Sequence, residues 1–485
     1  MILSLVILVP LAASILSLLV AKRAKNLYRI AAAASFIELA ASSAVTYSIA
    51  VNNSPFSWTP YFSVDFLGAI LLMLVAIVGL ATSIYSIGYF KAEVDKKIIG
   101  FHRVREYFIL LHLFLMAMFF AITTTSPVLM WIAIEATTLS TAFLISFYNK
   151  PSAMEAAWKY LIINSIGLLI GFLGTLLFLS IVSHPYPINL IDWSALAKNA
   201  SNANPLIVKI AFVLVLIGYG TKVGLAPMHT WLPDAHSKAP VPLSSLLSGV
   251  LLNVAFLAII RFKIVTDLSV GANFSQGLLI FFGILSIVIA SLIILMQKNY
   301  KRLLAYSSIE HMGIIALGFG FGGIGIFAAL LHMVYHSLAK SMLFLASGNI
   351  FLKYSTTRIS STKGAIFVLP VTGVLFLAGF LAITGIPPFG TFLTEIYIVS
   401  AGLKNHPVIV ITAIIALTLA FVGFLRSVFS MAYGEPGEIT KGEKSKWTTL
   451  PLIAIFIILL ALSLYLPDFI KVFIQNASAL ISKTI

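Results

Sequence analysis

The sequence predicts an all-α, polytopic membrane protein of about fourteen transmembrane helices in one membrane domain, and three observations carry that reading. Hydrophobic residues make up 60% of the 485 residues and charged residues only 10%, with a mean hydropathy of +1.05, too little charge to cover a water-facing surface. Apolar runs of about 20 residues recur from end to end, the length that crosses ~30 Å of hydrocarbon. The basic residues between those runs alternate by side. Of 31 Lys and Arg, 20 fall in loops on one face, 7 on the other, and four (Lys159, Lys222, Lys340 and Arg426) inside spans. A miscounted helix would scramble that asymmetry. The basic face is expected to be cytoplasmic, which places the chain in the plasma membrane with both termini on the outer side.

Taken in order, the spans are expected at 2–20, 28–51, 62–90, 107–124, 127–147, 157–182, 206–228, 241–265, 275–296, 302–319, 325–352, 368–399, 407–432 and 448–470. Positive charges at Lys22, Arg23 and Lys25 follow the first apolar run rather than precede it. That order is the reverse of a secretory signal, so the run is read as a retained first helix. The longest loops, 183–205 and 433–447, are too short for a soluble domain. The expected organisation is 1–106 as N-terminal helices, 107–265 and 275–432 as two five-helix repeats, and 448–485 as a last helix and tail.

Two spans are broken. The span 206–228 carries GYGTKVGLAP, with Gly218, Gly220, Gly224 and Pro227. The span 368–399 carries TGIPPFGTF, with Gly385, Pro387, Pro388 and Gly390. Breaks free backbone amides and carbonyls, which survive at membrane depth only inside a bundle or beside water. A pair of interrupted spans at matching places in two halves points to inverted repeats around a midplane ion path.

Composition also excludes chemistry. There is no cysteine, so the chain has no thiolates for disulfides or iron–sulfur clusters. No cofactor is expected in this chain, and any redox reaction belongs to a partner. The net charge of +15 is read as loop charge of a membrane protein. Nucleic acid is not an expected partner, because no basic stripe with interleaved aromatics stands out.

A charge at the bilayer centre costs roughly 2.5–3.5 kcal/mol on insertion scales, so each ionisable residue there needs a partner, water or a neutral form. Glu135 lies mid-span in MWIAIEATTLS, and Lys222 at the first break. Lys159, in AAWKYLI, sits near a helix start, where stretching its side chain to the headgroup region competes with a buried role. HMVYHSLAK sets His332, His336 and Lys340 at i, i+4 and i+8. On a helix these drift only ~80° over ~12 Å and form one polar stripe. A His-x₃-His pair can bind zinc, but the sequence shows no further ligand and a lysine comes next, so a titrating wire is preferred and no metal is expected. His311, in SSIEHMG, extends the stripe, whereas neighbouring Glu310 faces another direction and is read as structural. Glu395 follows the second break in PPFGTFLTEIY. Glu38 and Asp65 are read as structural or interfacial groups. GFGFGG at 318–323 fits a dinucleotide-binding spacing, but with no strand before it the glycines are read as helix packing.

The stretch KVGLAPMHTWLPDAHSKAPVPLSSLLSG, with YKRLLAYSSIEHMG, HMVYHSLAKSMLFLASGNI and GIPPFGTFLTE, resembles the antiporter-like subunits of complex I and of Mrp-type cation/proton antiporters. With MWIAIEATTLSTAFLISFYNKPSAMEAAWKYLI added, the likeness is greatest to the proton-translocating subunit of group-4 membrane-bound hydrogenases, the formate hydrogenlyase and hydrogenase-4 types. It covers roughly 100–430. The resemblance implies fourteen helices with two inverted five-helix repeats. It implies that Glu135 pairs with Lys222, that His332, His336 and Lys340 form a central hydrophilic axis, and that Glu395 is the exit-side residue. It implies a non-catalytic subunit that couples electron transfer in partner subunits, homologous antiporter-like subunits among them, to movement of protons or Na⁺. The alternative is a subunit of an Mrp-type antiporter with no redox partner. One departure stands out: many members carry lysine in the helix after the first break, where LSGVLLNVAF offers Asn253.

Overall fold

The computed structural model describes residues 2–19, 23–182 and 191–482. Lys22, Lys483 and residues 183–190 of the long loop lie outside the described residues. In chain order the helices are α1 (Ile2–Leu19), α2 (Ala24–Asn52), α3 (Phe66–Asp95), α4 (Phe101–Thr123), α5 (Pro127–Ile145), α6 (Pro151–Leu179), α7 (Trp193–Asn199), α8 (Pro205–Val223), α9 (Trp231–Lys238), α10 (Val241–Leu246), α11 (Leu252–Val270), α12 (Ala272–Ile294), α13 (Tyr300–Phe321), α14 (Ile324–Tyr354), α15 (Ala365–Val368), α16 (Pro370–Ile383), α17 (Gly390–Leu403), α18 (Pro407–Ala432), α19 (Lys446–Leu464) and α20 (Asp468–Ser482). A π-turn, Leu247–Leu251, joins α10 and α11 into one span. Thirteen helices among the described residues are long and apolar enough to cross a membrane, and α16 with α17 makes one more in two halves. The chain is an all-α multi-pass membrane protein, as the hydropathy pattern requires.

Burial sorts the helices into an inner and an outer set. The apolar windows of α13 and of the 241–270 span are wholly buried, and that of α14 nearly so. Around them, α6 shows how an outer helix is built. Ile162, Ile166, Leu169 and Leu173 recur on its exposed face, while Tyr160, Asn164, Gly167, Gly171 and Gly174 point inward. That spacing is one lipid-facing stripe and one packed stripe.

Among the boundaries that differ from the sequence reading, three do so for a clear local reason. Phe62–Val64, expected to open the third span, instead pairs as β2 with β1 (Phe56–Thr59) in a short hairpin, and α3 starts at Phe66 under the cap of Asp65. The last span ends at Leu464 because Pro467 disfavours helix in the residue before it. The tail re-forms as α20, burying Phe473, Ile474, Ala477 and Ile481 on one face.

The third difference concerns the first break. Gly218 and Gly220 do not interrupt their helix: α8 runs through both to Val223. A Cβ at Gly218 would collide with the backbone of Gly171 and Gly167, so this glycine serves the close approach of α6 and α8. The break begins at Gly224, which ends α8 in the left-handed region (φ 83°). The second break, 384–389 between α16 and α17, falls where expected, with Gly385 at φ 63°.

Candidate functional site

The first break builds a socket for Lys222. Its side chain is fully buried in the last turn of α8. Backbone groups at the break find partners. Gly224 N–H donates to Gly220 and Thr221 carbonyls, Ala226 N–H to Ser286 Oγ at 2.9 Å, and Trp231 Nε1 donates to the Thr221 carbonyl at 2.8 Å. The ammonium therefore meets side chains rather than loose carbonyls. Lys222 Nζ donates to Thr138 Oγ1 of α5 at 2.9 Å and to Tyr160 OH of α6 at 2.6 Å. Tyr160 OH is also 2.6 Å from Thr141 Oγ1.

Glu135 is not in direct contact with this ammonium, which corrects the expected ion pair. It lies one turn before Thr138 on α5, and its Oε1 accepts from Ser165 Oγ at 2.7 Å. Its Oε2 is buried with no hydrogen-bond partner. Lysine and glutamate thus share a wall but are held apart by neutral hydroxyls, a geometry in which a small movement of either side chain changes their Coulomb coupling strongly.

The second half gathers its groups more tightly. His332, His336 and Lys340 are fully buried on α14, and His311 on α13 is 2% exposed. His311 Nδ1 lies 2.9 Å from His332 Nε2, and His332 Nδ1 lies 2.8 Å from Thr394 Oγ1 on α17. In each contact the tautomer decides which nitrogen donates. His336 stacks toward His311 with ring centroids 5.5 Å apart, and both of its nitrogens lack a hydrogen-bond partner. Lys340 Nζ donates to the Leu304 carbonyl at 2.9 Å and to Ser307 Oγ. Glu395 sits over Gly385, where a Cβ would strike its carboxylate.

A small cavity of about 20 Å³ joins Ser307, Glu310, His311, Thr384 and Glu395, space for about one water. Glu310 was read from sequence as structural, facing away. The cavity puts it beside His311 and Glu395, because the turned second break closes over both. A signal for it existed: Glu310 occupies the second helix of its five-helix set, as Glu135 does of the other. His311, His332 and Glu395 bring one ligand atom each to within 4.8 Å of one another, the metal-like spacing found among the described residues. The His-x₃-His pair of the sequence is not that set, since His336 is not a member.

Lys159 is elsewhere. Its side chain is 48% exposed, 2.6 Å from Glu155 Oε1 and 3.6 Å from Asp234 Oδ2. It is held in a surface network with Arg302, not on the buried axis.

Contacts between the halves run through the span after the first break. Ser248, in the π-turn, is 2.7 Å from Ser308 on α13. Asn253 Nδ2 donates to Ser337 Oγ at 2.9 Å, beside His336. A π-turn inside a transmembrane helix is a common mark of a functional position. At the basic end of the bundle, Tyr148 OH donates to buried Glu93 at 2.7 Å. A cavity of about 420 Å³ there is lined by Tyr89, Glu93, Lys96, Lys238 and Lys301. The sequence reading ended its third span before Glu93 and so missed this cluster.

Fold and site together define a class: an antiporter-like, multi-pass membrane subunit. Residues 124–421 match the family model described as "NADH:quinone oxidoreductase/Mrp antiporter, TM", and the chain belongs to that family. The hydrogenase-4 component F homolog of Methylacidiphilum infernorum is 36% identical over 425 residues, covering 87% of this chain and 89% of that one. A chain of the membrane-bound sulfane sulfur reductase, an archaeal respiratory membrane complex, superimposes with a TM-score of 0.88 at 22% identity, covering 99% of this chain and 98% of its own. A chain of the Mrp complex from Dietzia sp. DQ12-45-1b gives 0.85 at 19%, covering 99% and 96%. These two structures share the fold.

Proposed function

We propose that this subunit carries protons across the plasma membrane, driven by electron transfer in partner subunits of a hydrogenase or complex I-like assembly. The observation that supports this most is the buried set of titrating groups: Lys222 on two hydroxyls in one half, and Lys340, Glu310, His311, His332, His336 and Glu395 gathered in the other. A set so costly to bury is retained where it handles charge. Its members are amines, imidazoles and carboxylates spaced for proton exchange. Na⁺ is the other ion the family chemistry admits.

In this reading Lys222 is the switch of the first half. Neutral acceptors hold its ammonium, and Glu135, one turn away, tunes it. A carboxylate swinging toward a buried ammonium favours the charged form, and one swinging away favours release of the proton. At an effective dielectric near 20, a unit charge brought to ~4 Å changes the energy by up to ~4 kcal/mol, ample for the step. The proton passes by way of Ser248–Ser308 and the Asn253–Ser337 contact to the histidines, and leaves by Glu395. Uptake is through the basic-end cavity at Glu93. The termini then face the outer side. The two five-helix sets, inverted relative to each other, would give each half its own access.

Lys222→Ala tests the reading. In the whole complex reconstituted in vesicles, ion movement should fall to background while the redox reaction persists at least in part. Undiminished movement would end it. Nickel and iron co-purifying with the chain would support the hydrogenase setting, and metal-free small membrane subunits an Mrp-type one.

A further inference from the structure

The four N-terminal helices hold a pair of ionisable groups that the axis above does not use. Glu38 lies midway along α2 (Ala24–Asn52) and His112 midway along α4 (Phe101–Thr123). At 1.5 Å per residue, Glu38 is about 21 Å of helix from either end and His112 about 16 Å. They are 1% and 0% exposed, and Glu38 Oε1 lies 4.0 Å from His112 Nδ1. That gap is too long for a hydrogen bond. Glu38 Oε1 and both imidazole nitrogens have no hydrogen-bond partner, so the mismatch is not relieved elsewhere.

The lining is polar but uncharged. On Glu38's own face, Ser35 pairs with Ser83 of α3 at 2.9 Å, and Ser42 one turn on has an unpartnered hydroxyl. Thr82, next to Ser83, is likewise unpartnered. Among the described residues no other charge comes close. Residues 2–19 of α1 contain no ionisable side chain. On α2 the flanking groups are Arg29 and Tyr47, each nine residues away, with Lys25 and Tyr28 further toward the helix start. The ionisable residues of α3 lie toward its C-terminal end, from Tyr85 and Tyr89 to Lys91, Glu93 and Asp95. On α4, Tyr107 is turned to Ser86 at 3.1 Å, and His102, Arg103, Arg105 and Glu106 lie in the first two turns. Glu135 of α5 is turned to Ser165, and Arg261, Lys263 and Asp267 of α11 are tied up with Asp65 and with one another.

A lone buried carboxylate beside a lone buried imidazole has a natural ligand. One proton converts the set to a carboxylic acid with neutral imidazole, or to a carboxylate–imidazolium pair, and side-chain rotation by about an ångström then makes a hydrogen bond in either form. We propose that Glu38 and His112 form a second proton-binding site, which loads and releases one shared proton and makes the N-terminal helices part of the proton-handling machinery. The site lies outside residues 124–421, the segment matched to the family. It stands whether or not the central axis moves ions.

Infrared difference spectra of the full chain in nanodiscs, stepped between about pH 5 and 8, read the site directly. Loading should add a carboxylic C=O band that shifts in D₂O, or, where the proton rests on the imidazole, shift the carboxylate stretches, and either change should be absent from Glu38→Gln. Spectra of Glu38→Gln identical to those of the parent would overturn the proposal, since Glu38 would then neither take up the proton nor pair with the imidazolium. His112→Gln keeps the carboxylate and covers the case in which Glu38→Gln fails to fold. It should move the band's midpoint by about one pH unit or more, and an unmoved midpoint would also overturn the pair. Lys222→Ala should leave the band in place, which separates failure of this site from failure of the central axis.

Discussion

At the scale of the residue, the ammonium of Lys222 is governed by what accepts its protons. Tyr160 OH is the shorter of its two contacts and passes the link on to Thr141. Tyr160→Phe keeps the ring and removes the acceptor. A hydrogen bond to a charged group is worth about 1.5–3 kcal/mol, so ion movement should fall about tenfold or more while the subunit still assembles. Vesicle assays of the whole complex check this. Asp65 makes a separate, structural prediction. It caps α3 through the Gly68 N–H at 2.8 Å and grips Arg261 at 2.5 and 2.8 Å. Burial opposes its charge, but the guanidinium and the cap outweigh burial and hold the carboxyl below its usual range. Asp65→Ala should lower stability by about 2–3 kcal/mol, read as a drop in Tm. The pair's contribution is full above the ordinary carboxylate value near pH 3.9 and disappears as pH falls through the lower native value, so melts should converge with the variant in acid. Much of the site was legible at this scale. Glu135, Lys222 and the His332–Lys340 stripe are charges where only a buried role is affordable. Tyr160 was not legible, and Glu310 was legible only by its place in the second helix of its set, not by its partners. A tyrosine in an apolar run looks like packing, and Glu310 faces His311 and Glu395 only because a distant break folds back over it. Lys159 was read as a rival case, near a helix start where its side chain could reach the headgroup region. Its acids, Glu155 and Asp234, hold it at the surface.

At the scale of the element, the two breaks explain which glycines matter. Sequence marks glycine-rich stretches but cannot tell a glycine that lets two helices touch from one that ends a helix, because both reasons are spatial. Gly220 is inside α8, and a Cβ there would meet Met228 Cε at an ordinary 3.4 Å. Gly385 combines φ 63° with a Glu395 carboxylate where a Cβ would stand. The contrast is a prediction. Gly220→Ala should be neutral or raise stability by up to ~1 kcal/mol with ion movement intact. Gly385→Ala should cost about 1–2 kcal/mol for the left-handed backbone and push Glu395 out of the cavity. Its Tm should fall, and ion movement should fall with it. Equal behaviour of the two variants would mean that the second break does not hold the carboxylate.

At the scale of the whole molecule, the question is how two separately built sites act together. The resemblance leads one to expect a lysine between them, and this chain has an amide. Asn253 cannot carry a proton charge. It is nonetheless fully buried and reaches across to α14 through Ser337 Oγ, with weaker contacts at 3.4 Å to the Met333 and Gly249 carbonyls. Its Oδ1 has no hydrogen-bond partner and remains free to accept. An amide so placed can relay hydrogen bonds between halves without storing charge, and the neighbouring Ser248–Ser308 contact offers a parallel link. The two links should therefore be redundant in part. Asn253→Leu and Ser248→Ala should each reduce ion movement several-fold, whereas the double variant should lose more than the product of the two. Groups that share a task couple by about 0.5–3 kcal/mol in such cycles. Melting temperatures measured on the same preparations separate this from loosened packing, which would lower Tm and ion movement in proportion. Strictly multiplicative effects would mean that the halves communicate elsewhere, with Lys340 and Ser307 the next contact to cut.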